Sequence, residues 1–295
     1  MNHSPPRILM CRPDYFGIEY EINPWMDRAH PANHELAVEQ WESLHGILSG
    51  LGASIELVEP RAGLPDLVFT ANAALICGGR AILSRFRHPQ RQGEEPYFAA
   101  KLEQFGLEVV RLPNDEYFEG AGDALFCGEG LFAGYRIRSM ARSLQHVATL
   151  IGVQIMPLEL VDQRFYHLDT CFCPLEPSQA IWFPEAFDAY GQQVIRANIQ
   201  NLIDLTEVEA VCFAANAVVI GRHVVTNTGC PQLHARLRDQ GFDPIETPLS
   251  EFVKAGGSAK CLTLRLDGED AAEWKRSGDH QAVSGNYPPE HSPTC

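Results

Sequence analysis

Gly256-Gly257-Ser258-Ala259-Lys260-Cys261 runs directly into the apolar stretch Leu262-Thr263-Leu264-Arg265-Leu266. A cysteine after a glycine-rich turn, at the mouth of a strand, is open on one side and supported on the other. A nucleophilic thiolate has to be presented in that way. Burial as an inert structural thiol is the ordinary fate of a free cysteine. Two features favour chemistry here: the glycine pair permits close backbone approach, and Lys260 puts a cation beside the thiol, although an extended chain would turn it away. His167 and Asp169 stand two apart, so a strand would send both side chains to one face. They combine a base with a carboxylate that can orient it or pair with a substrate guanidinium. Glu119 and Asp123 bracket Gly120-Ala121-Gly122, a turn with acids where a phosphate loop would need Lys and Ser or Thr. Asp66 and Asn72 flank Leu67-Val68-Phe69-Thr70-Ala71, where turn or capping roles are the default. Arg85, Arg91 and Arg138 are scattered, and one or two of them could grip a carboxylate with both prongs. Together these residues suggest a cysteine hydrolase for a cationic substrate. Cys171 and Cys173 extend the alternation from His167, but the spacing fits no standard zinc pair and no second cluster completes a ligand set. No metal is expected.

The bulk composition narrows the classes. The chain has 295 residues, 45% hydrophobic and 21% charged, long enough for one large domain or two small ones. Its 38 acidic against 23 basic residues give a net charge of -15. Nucleic-acid binding needs clustered Lys and Arg and is not expected. No segment approaches a membrane span, and Met1 to Pro6 is short and polar rather than a signal peptide. Nine scattered cysteines then read as reduced thiols in the cytoplasm. A homo-oligomer is compatible with the sequence.

The elements follow from periodicity. Strands are expected at 7–11, 55–58, 67–69, 81–83, 108–110, 210–213, 217–220, 223–226 and 244–246. Hairpins are expected at 125–133 and 168–183, the first across Gly128-Glu129-Gly130. Helices are expected at 34–51, 95–105, 139–151, 191–200 and 232–240, with a single turn at 250–253. Short strand, hairpin and helix recur as small α/β modules, without the long alternation of a doubly wound sheet. No sequence repeat is strong enough to count them. Residues 1–266 read as one catalytic domain. Residues 267–295, rich in Gly, Pro, Ser, His and charge, read as a disordered tail.

Asp66-Leu67-Val68-Phe69-Thr70-Ala71-Asn72, Phe118-Glu119-Gly120-Ala121-Gly122-Asp123, His167-Leu168-Asp169-Thr170 and Gly256-Gly257-Ser258-Ala259-Lys260-Cys261 together resemble the guanidino-group-modifying enzymes, the amidinotransferase/dimethylargininase superfamily. The resemblance covers roughly residues 7–266. It implies the pentein fold, a five-bladed α/β propeller with pseudo-fivefold symmetry. It further implies Cys261 as nucleophile, His167 as general acid/base, and Glu119 and Asp169 as carboxylates that hold the guanidinium. Asp66 is implied as an acid near the site, with Asp123 and Ser258 as further substrate-binding positions. No metal or organic cofactor is implied. Deiminases typically carry Asp in a Thr-Arg-Asp context where this chain has Thr70-Ala71-Asn72. The asparagine resembles the arginine dihydrolases, as do Ile22-Asn23-Pro24-Trp25-Met26 and Arg91-Gln92-Gly93-Glu94-Glu95-Pro96-Tyr97-Phe98. In them Asn23, Arg91 and Arg138 would contact the α-amino and carboxylate end. The expected activity is arginine dihydrolase, through a covalent thiouronium on Cys261. The rivals are single hydrolysis of arginine or methylarginine to citrulline, and a non-catalytic binder of cationic amino acids, which an intact Cys261, His167 and Glu119 disfavours.

Overall fold

In the computed structural model, residues 5–275 are described, and they form five three-stranded sheets. Each sheet repeats one unit. Two strands pair antiparallel through a tight turn, a helix crosses back, and a third strand pairs parallel to the second. The helix is what makes the third strand parallel, because a parallel neighbour needs a crossover. The blade of Ala74–Cys77, Arg80–Leu83 and Glu108–Val110 shows how the sequence writes this. Gly78 and Gly79 both have positive φ, 55° and 82°, as the favoured two-residue hairpin turn requires. Glu95–Gln104 is the crossover helix.

The next two blades use Ala124–Cys127, Gly130–Tyr135 and Ile155–Glu159, then Phe172–Glu176, Gln179–Trp182 and Asn201–Asp204. Val218–Ile220, His223–Asn227 and Asp243–Thr247 make a fourth. The remaining blade joins the two ends of the domain. Arg7–Cys11 pairs parallel with Ser54–Val58 and antiparallel with Leu264–Arg265, so the last strand closes the ring on the first. Middle strands such as Gln179–Trp182 are buried at every position, because helices cover one face and the neighbouring blades the other. The expected five-bladed α/β propeller is the fold observed.

Several local expectations differ from the structure. Leu67 and Val68 belong to a 3-10 helix, Pro65–Val68, which Phe69 caps and where Pro65 brings no N–H for a ladder. Residues 207–211 are helical rather than the start of a strand at 210. Thr206 and Glu209 form a complete capping box there. The chain through Cys261 is a helical turn, with Leu262 N–H donating to Ser258 O and Thr263 N–H to Lys260 O. Only Leu264–Arg265 is strand, so Cys261 sits one turn before it rather than at its mouth. Strands Ala74–Cys77 and Asn201–Asp204 were not anticipated. The expected boundary at Leu266 falls too early. Ala271 and Ala272 are buried, Gly128 pairs with Ala272, and Trp274 packs edge-on against Phe126. The rest of the expected tail, 276–295, lies outside the described residues.

Arg265 staples the closure. It is buried, donates from Nη1 to Val219 O at 3.2 Å in the neighbouring blade, and pairs with Asp267 and Asp270 at 3.1 and 3.0 Å. Arg265→Ala removes a buried cation that links three segments. It should cost about 3 kcal/mol of stability, the bottom of the range for breaking a buried pair, because both aspartates keep contact with water. Urea unfolding measures this; an unchanged midpoint would show that the ring closes without the staple.

Candidate active site

The functional side chains sit on short turns that precede the first strand of each blade. Thr70–Ala73, Gly120–Gly122 and Leu168–Thr170 are 3-10 turns. The turns at 213–216 and 256–263 complete the set. Neighbouring turns are tied around the ring. Ala71 N–H donates to Cys261 O at 3.1 Å, and Asn72 Nδ2 donates to Glu119 O at 3.4 Å. Leu168 N–H donates to Asp123 Oδ1 at 3.2 Å, Asn216 Nδ2 to Asp169 O at 3.0 Å, and Lys260 N–H to Asn216 O at 3.2 Å. Five turns from five blades thus meet around one axis.

Two glycines let the cysteine turn fit. A Cβ on Gly256, whose φ is +83°, would lie 2.7 Å from the Tyr166 hydroxyl and 2.9 Å from Asn23 Oδ1. A Cβ on Gly257 would lie 2.6 Å from the Phe69 ring. The glycine pair therefore serves close packing by protein groups. A small pocket beside this turn is lined by Ile22, Asn23, Met26, Asp66, Phe69, Asn72, Arg91, Arg138, Tyr166, Ala255 and Cys261.

His167 and Asp169 do not share a face, because a 3-10 turn replaces the expected strand. His167 turns toward Glu119, with Nε2 2.7 Å from Glu119 Oε2. Asp169 turns the other way, with Oδ2 3.4 Å from Cys261 Sγ. Burial by itself would raise the Glu119 carboxyl, but the Arg138 guanidinium at 3.0 Å and the His167 hydrogen bond hold it well below the usual range. Burial, with Arg138 and Arg91 nearby, pushes His167 down to about 4 although Glu119 opposes this. A neutral imidazole facing an ionised carboxylate must carry its proton on Nε2, which assigns the tautomer. Nδ1 is left as a free lone pair with no protein donor among the described residues.

Glu119 itself is not open to a ligand. Its oxygens accept from Arg87 N–H, His167 and Arg138, so it orients the imidazole rather than holding a guanidinium directly as the resemblance implied. Asp123 is likewise occupied, accepting from Leu168 N–H and from Ser139 Oγ at 2.6 Å, and it lies outside the pocket lining. It braces two turns. Ser258 donates its N–H to Asn216 and its hydroxyl is buried without a partner, also off the pocket lining. Arg91 spends its donors on Glu94, Asn72 Oδ1 and Asp66 O. Arg138 makes two hydrogen bonds, to Glu119 and Ile22 O, and keeps the rest of its five donors. Of the two arginines expected at an α-carboxylate, Arg138 retains the capacity for it. Asn23 lines the pocket while its amide holds Ala255 O and the backbone of Trp25 and Met26. Cys171 and Cys173 point to carbonyls of Leu168 and Ala217 and do not converge with His167.

Two carboxylates remain for a cation. Asp66 Oδ1 and Asp169 Oδ1 are buried with no hydrogen-bond partner. Burial raises Asp66 against the pull of Arg91, and burial raises Asp169 to about 7. Burial and then the charge on Asp169 push the Cys261 thiol far above its ordinary value. Lys260 is engaged with Glu269 instead of the sulfur. Asn216, which the sequence did not single out, donates from Nδ2 to Cys261 Sγ at 3.0 Å. Its only signal was a lone amide between the apolar runs ending at Ala215 and starting at Ala217.

An ionised Asp169 puts a negative charge beside Cys261 for a cation to pair with. Because its carboxyl sits at about 7 when the pocket is empty, affinity for a cationic amino acid should rise as pH climbs toward 7 and level off above it. Binding below that pH should release a proton. Calorimetry in two buffers of different ionisation enthalpy tests both, and affinity that stays flat from about pH 5.5 to 8.5 would contradict the assignment.

No protein-family model matches the chain. It is 49% identical over 265 residues to the bifunctional arginine dihydrolase/ornithine cyclodeaminase ArgZ of Synechocystis sp., covering 88% of this chain and 37% of that one. It thus spans less than two fifths of the length of such bifunctional relatives, 38% for AgrE of Nostoc sp.. It is 39% identical over 260 residues to N(G),N(G)-dimethylarginine dimethylaminohydrolase of Mycobacterium tuberculosis, covering 88% of this chain and 85% of that one. The crystal structure of the ArgZ N-terminal domain, as a cysteine-to-serine variant bound to substrate, superposes with a TM-score of 0.87 at 47% identity, covering 90% of this chain and 99% of that one. The same domain as an asparagine-to-serine variant, covalently bonded to a reaction intermediate, gives the same score. With this identity along nearly the whole domain and these side chains around Cys261, the chain belongs to the guanidino-group-modifying enzymes, the family of the dimethylarginine dimethylaminohydrolases and arginine dihydrolase domains.

Proposed function

We propose that the protein is an arginine dihydrolase, converting L-arginine and two waters into L-ornithine, carbon dioxide and two ammonia. The observation that carries this is a pair of buried carboxylate oxygens without a partner: one on Asp66, in the pocket wall with the neutral Asn72 and Cys261, and one on Asp169, whose other oxygen lies 3.4 Å from the Cys261 sulfur. The ArgZ and AgrE relatives, named as arginine dihydrolases, support it.

The guanidinium enters between Asp66 and Asp169, which accept its N–H groups as charge-assisted hydrogen bonds. Its positive charge offsets Asp169 and lowers the cost of forming the Cys261 thiolate. The sulfur bonds the central carbon, one terminal C–N bond breaks, and His167 Nδ1 passes the thiol proton to the departing ammonia. Water, giving a proton to His167, then adds to the thiouronium carbon. The C–S bond breaks and a ureido group remains. In a second round the sulfur adds to the ureido carbon, the second ammonia leaves, and water releases a carbamate that loses carbon dioxide.

The second round starts from a neutral group that the carboxylates no longer attract. Its carbonyl oxygen needs a donor. Asn72 Oδ1 is fixed by Arg91 at 2.8 Å, so Nδ2 is the free end and makes only a long bond, 3.4 Å, to Glu119 O. One N–H of Nδ2 is therefore available to the ureido oxygen, where an aspartate would offer only acceptors. The relative that acts on dimethylarginine supports a second reading, release of citrulline from methylated arginine.

Incubation with L-arginine, with amino-acid products and ammonia quantified together, decides between them. Ornithine with two ammonia per arginine is expected. Asn72→Asp should stop at citrulline and one ammonia; if it still releases ornithine, the asparagine does not govern the second hydrolysis. Cys261→Ser should lose turnover by at least about a thousandfold while arginine still raises the unfolding temperature.

A further inference from the structure

The buried amide of Asn216 makes four hydrogen bonds, and together they fix its orientation. Oδ1 lies 3.1 Å from both Ser258 N and Cys261 N. Backbone N–H groups can only donate, so the atom facing them must be the oxygen. The other end is then Nδ2, whose two hydrogens go to Asp169 O and Cys261 Sγ, each at 3.0 Å. The amide is saturated, and one of its hydrogens is spent on the reacting sulfur.

The sulfur has few alternatives. Lys260 is committed to Glu269, Arg91 to Glu94 and Asn72, and His167 is held toward Glu119. The charged group closest to the sulfur is Asp169, which opposes a second negative charge. Before a cation arrives, stabilisation of a developing thiolate falls to hydrogen bonds, from the Ser258 backbone N–H and from Asn216, the side-chain donor at the sulfur. We propose that Asn216 is a catalytic residue: its Nδ2–H carries part of the charge on the Cys261 sulfur as thiolate and as leaving group, while its Oδ1 fixes the cysteine turn. The proposal deepens the reading of Cys261 as nucleophile and rests on it. The same N–H serves twice, when the thiol gives up its proton and when the C–S bond breaks and the electron pair returns to sulfur.

The two roles separate in Asn216→Asp, which keeps an acceptor for both backbone N–H groups and loses the donor to sulfur. Asn216→Ala loses both. Alkylation of Cys261 by iodoacetamide, in which sulfur displaces iodide and the thiol proton goes to buffer, reads the thiolate without using arginine. It therefore stands even if the substrate assignment fails. At a fixed pH, alkylation mapped to Cys261 should slow by about tenfold to a hundredfold in both variants, the range for a hydrogen bond to a charged atom, as its pH profile moves upward. Turnover should fall similarly through kcat, with KM within about threefold. Both variants should lose thermal stability, Asn216→Asp because its second oxygen would face the Asp169 carbonyl and the sulfur, Asn216→Ala because it frees the cysteine turn. An unchanged alkylation profile in a folded variant would reduce Asn216 to a structural clamp and overturn the proposal. If neither variant folds, the wild-type protein still gives an answer. The Asn216 side-chain amide resonances should move with Cys261 ionisation, and resonances that stay put across it would equally overturn the proposal.

Discussion

The centre of this protein buries more negative charge than it neutralises. Asp66, Glu94, Glu119, Asp123 and Asp169 are all buried around the axis, against the guanidiniums of Arg91 and Arg138 and an imidazole that stays neutral. A buried ion without a partner costs several kcal/mol, so each carboxylate must be ionised against a partner, be protonated, or wait for a cation. Glu119 takes the first course with Arg138 and His167, and Glu94 the same with Arg91. Asp123, pushed upward by burial and then by Glu119, accepts from Ser139 and Leu168. Asp66 and Asp169 keep one oxygen each unpartnered. These two open oxygens suit a positive charge, and in the proposed reaction the cation they hold also makes the thiol reactive.

Such a centre is held together by the ring of turns. Each of the five turns supplies a backbone carbonyl, a backbone N–H or a buried side chain to the next, and the strands behind them fix the spacing. The pseudo-fivefold fold explains why no single segment contains the site. His167 comes from one blade, its orienting Glu119 from the blade before, Asn216 from the blade after, and Cys261 from the turn leading into the closing strand. Closure of that blade by Leu264–Arg265 against Arg7–Cys11 sets the height of the cysteine turn relative to its neighbours. Stability at the seam and geometry at the sulfur are therefore linked through four residues of chain.

Much of this was legible in the sequence, and the failures have physical causes. The hairpins, the crossover helices and the acid, base and thiol motifs all carry local signals, namely glycine turns, helical periodicity and short polar clusters in apolar surroundings. The 3-10 turns do not. His167-Leu168-Asp169 fits a strand's alternation and a tight turn equally well, and only packing between blades decides that the two side chains diverge. The occupancy of Glu119, Asp123 and Arg91 was hidden for the same reason. A sequence gives a residue's capacity to bond, while most of its partners at these sites sit 16 to 48 positions away, as Ser139 does from Asp123 and His167 from Glu119. Asn216 was missed because an asparagine beside a strand ordinarily reads as a turn former.

The remaining constraint concerns the order of events at the sulfur. In the empty pocket the thiol faces Asp169, and burial together with that carboxylate raises its pKa well above the ordinary value. In the proposed reaction a guanidinium reverses the sign of the local field, and the first ammonia leaves while that cation is in place. The ureido group that follows is neutral and cannot do so again. A second attack by the same sulfur would then rely on neutral donors, and two amides are at hand, Asn72 in the pocket wall and Asn216 at the sulfur. An all-carboxylate rim would hold the first substrate more firmly and the second not at all. Replacing one charge by an amide weakens the first grip by removing a Coulomb partner, but it adds an N–H donor where the ureido oxygen needs one. Extracting two ammonia molecules at one cysteine therefore calls for a rim of mixed charge and amide character, in which neither the cationic nor the neutral form is bound as tightly as it could be.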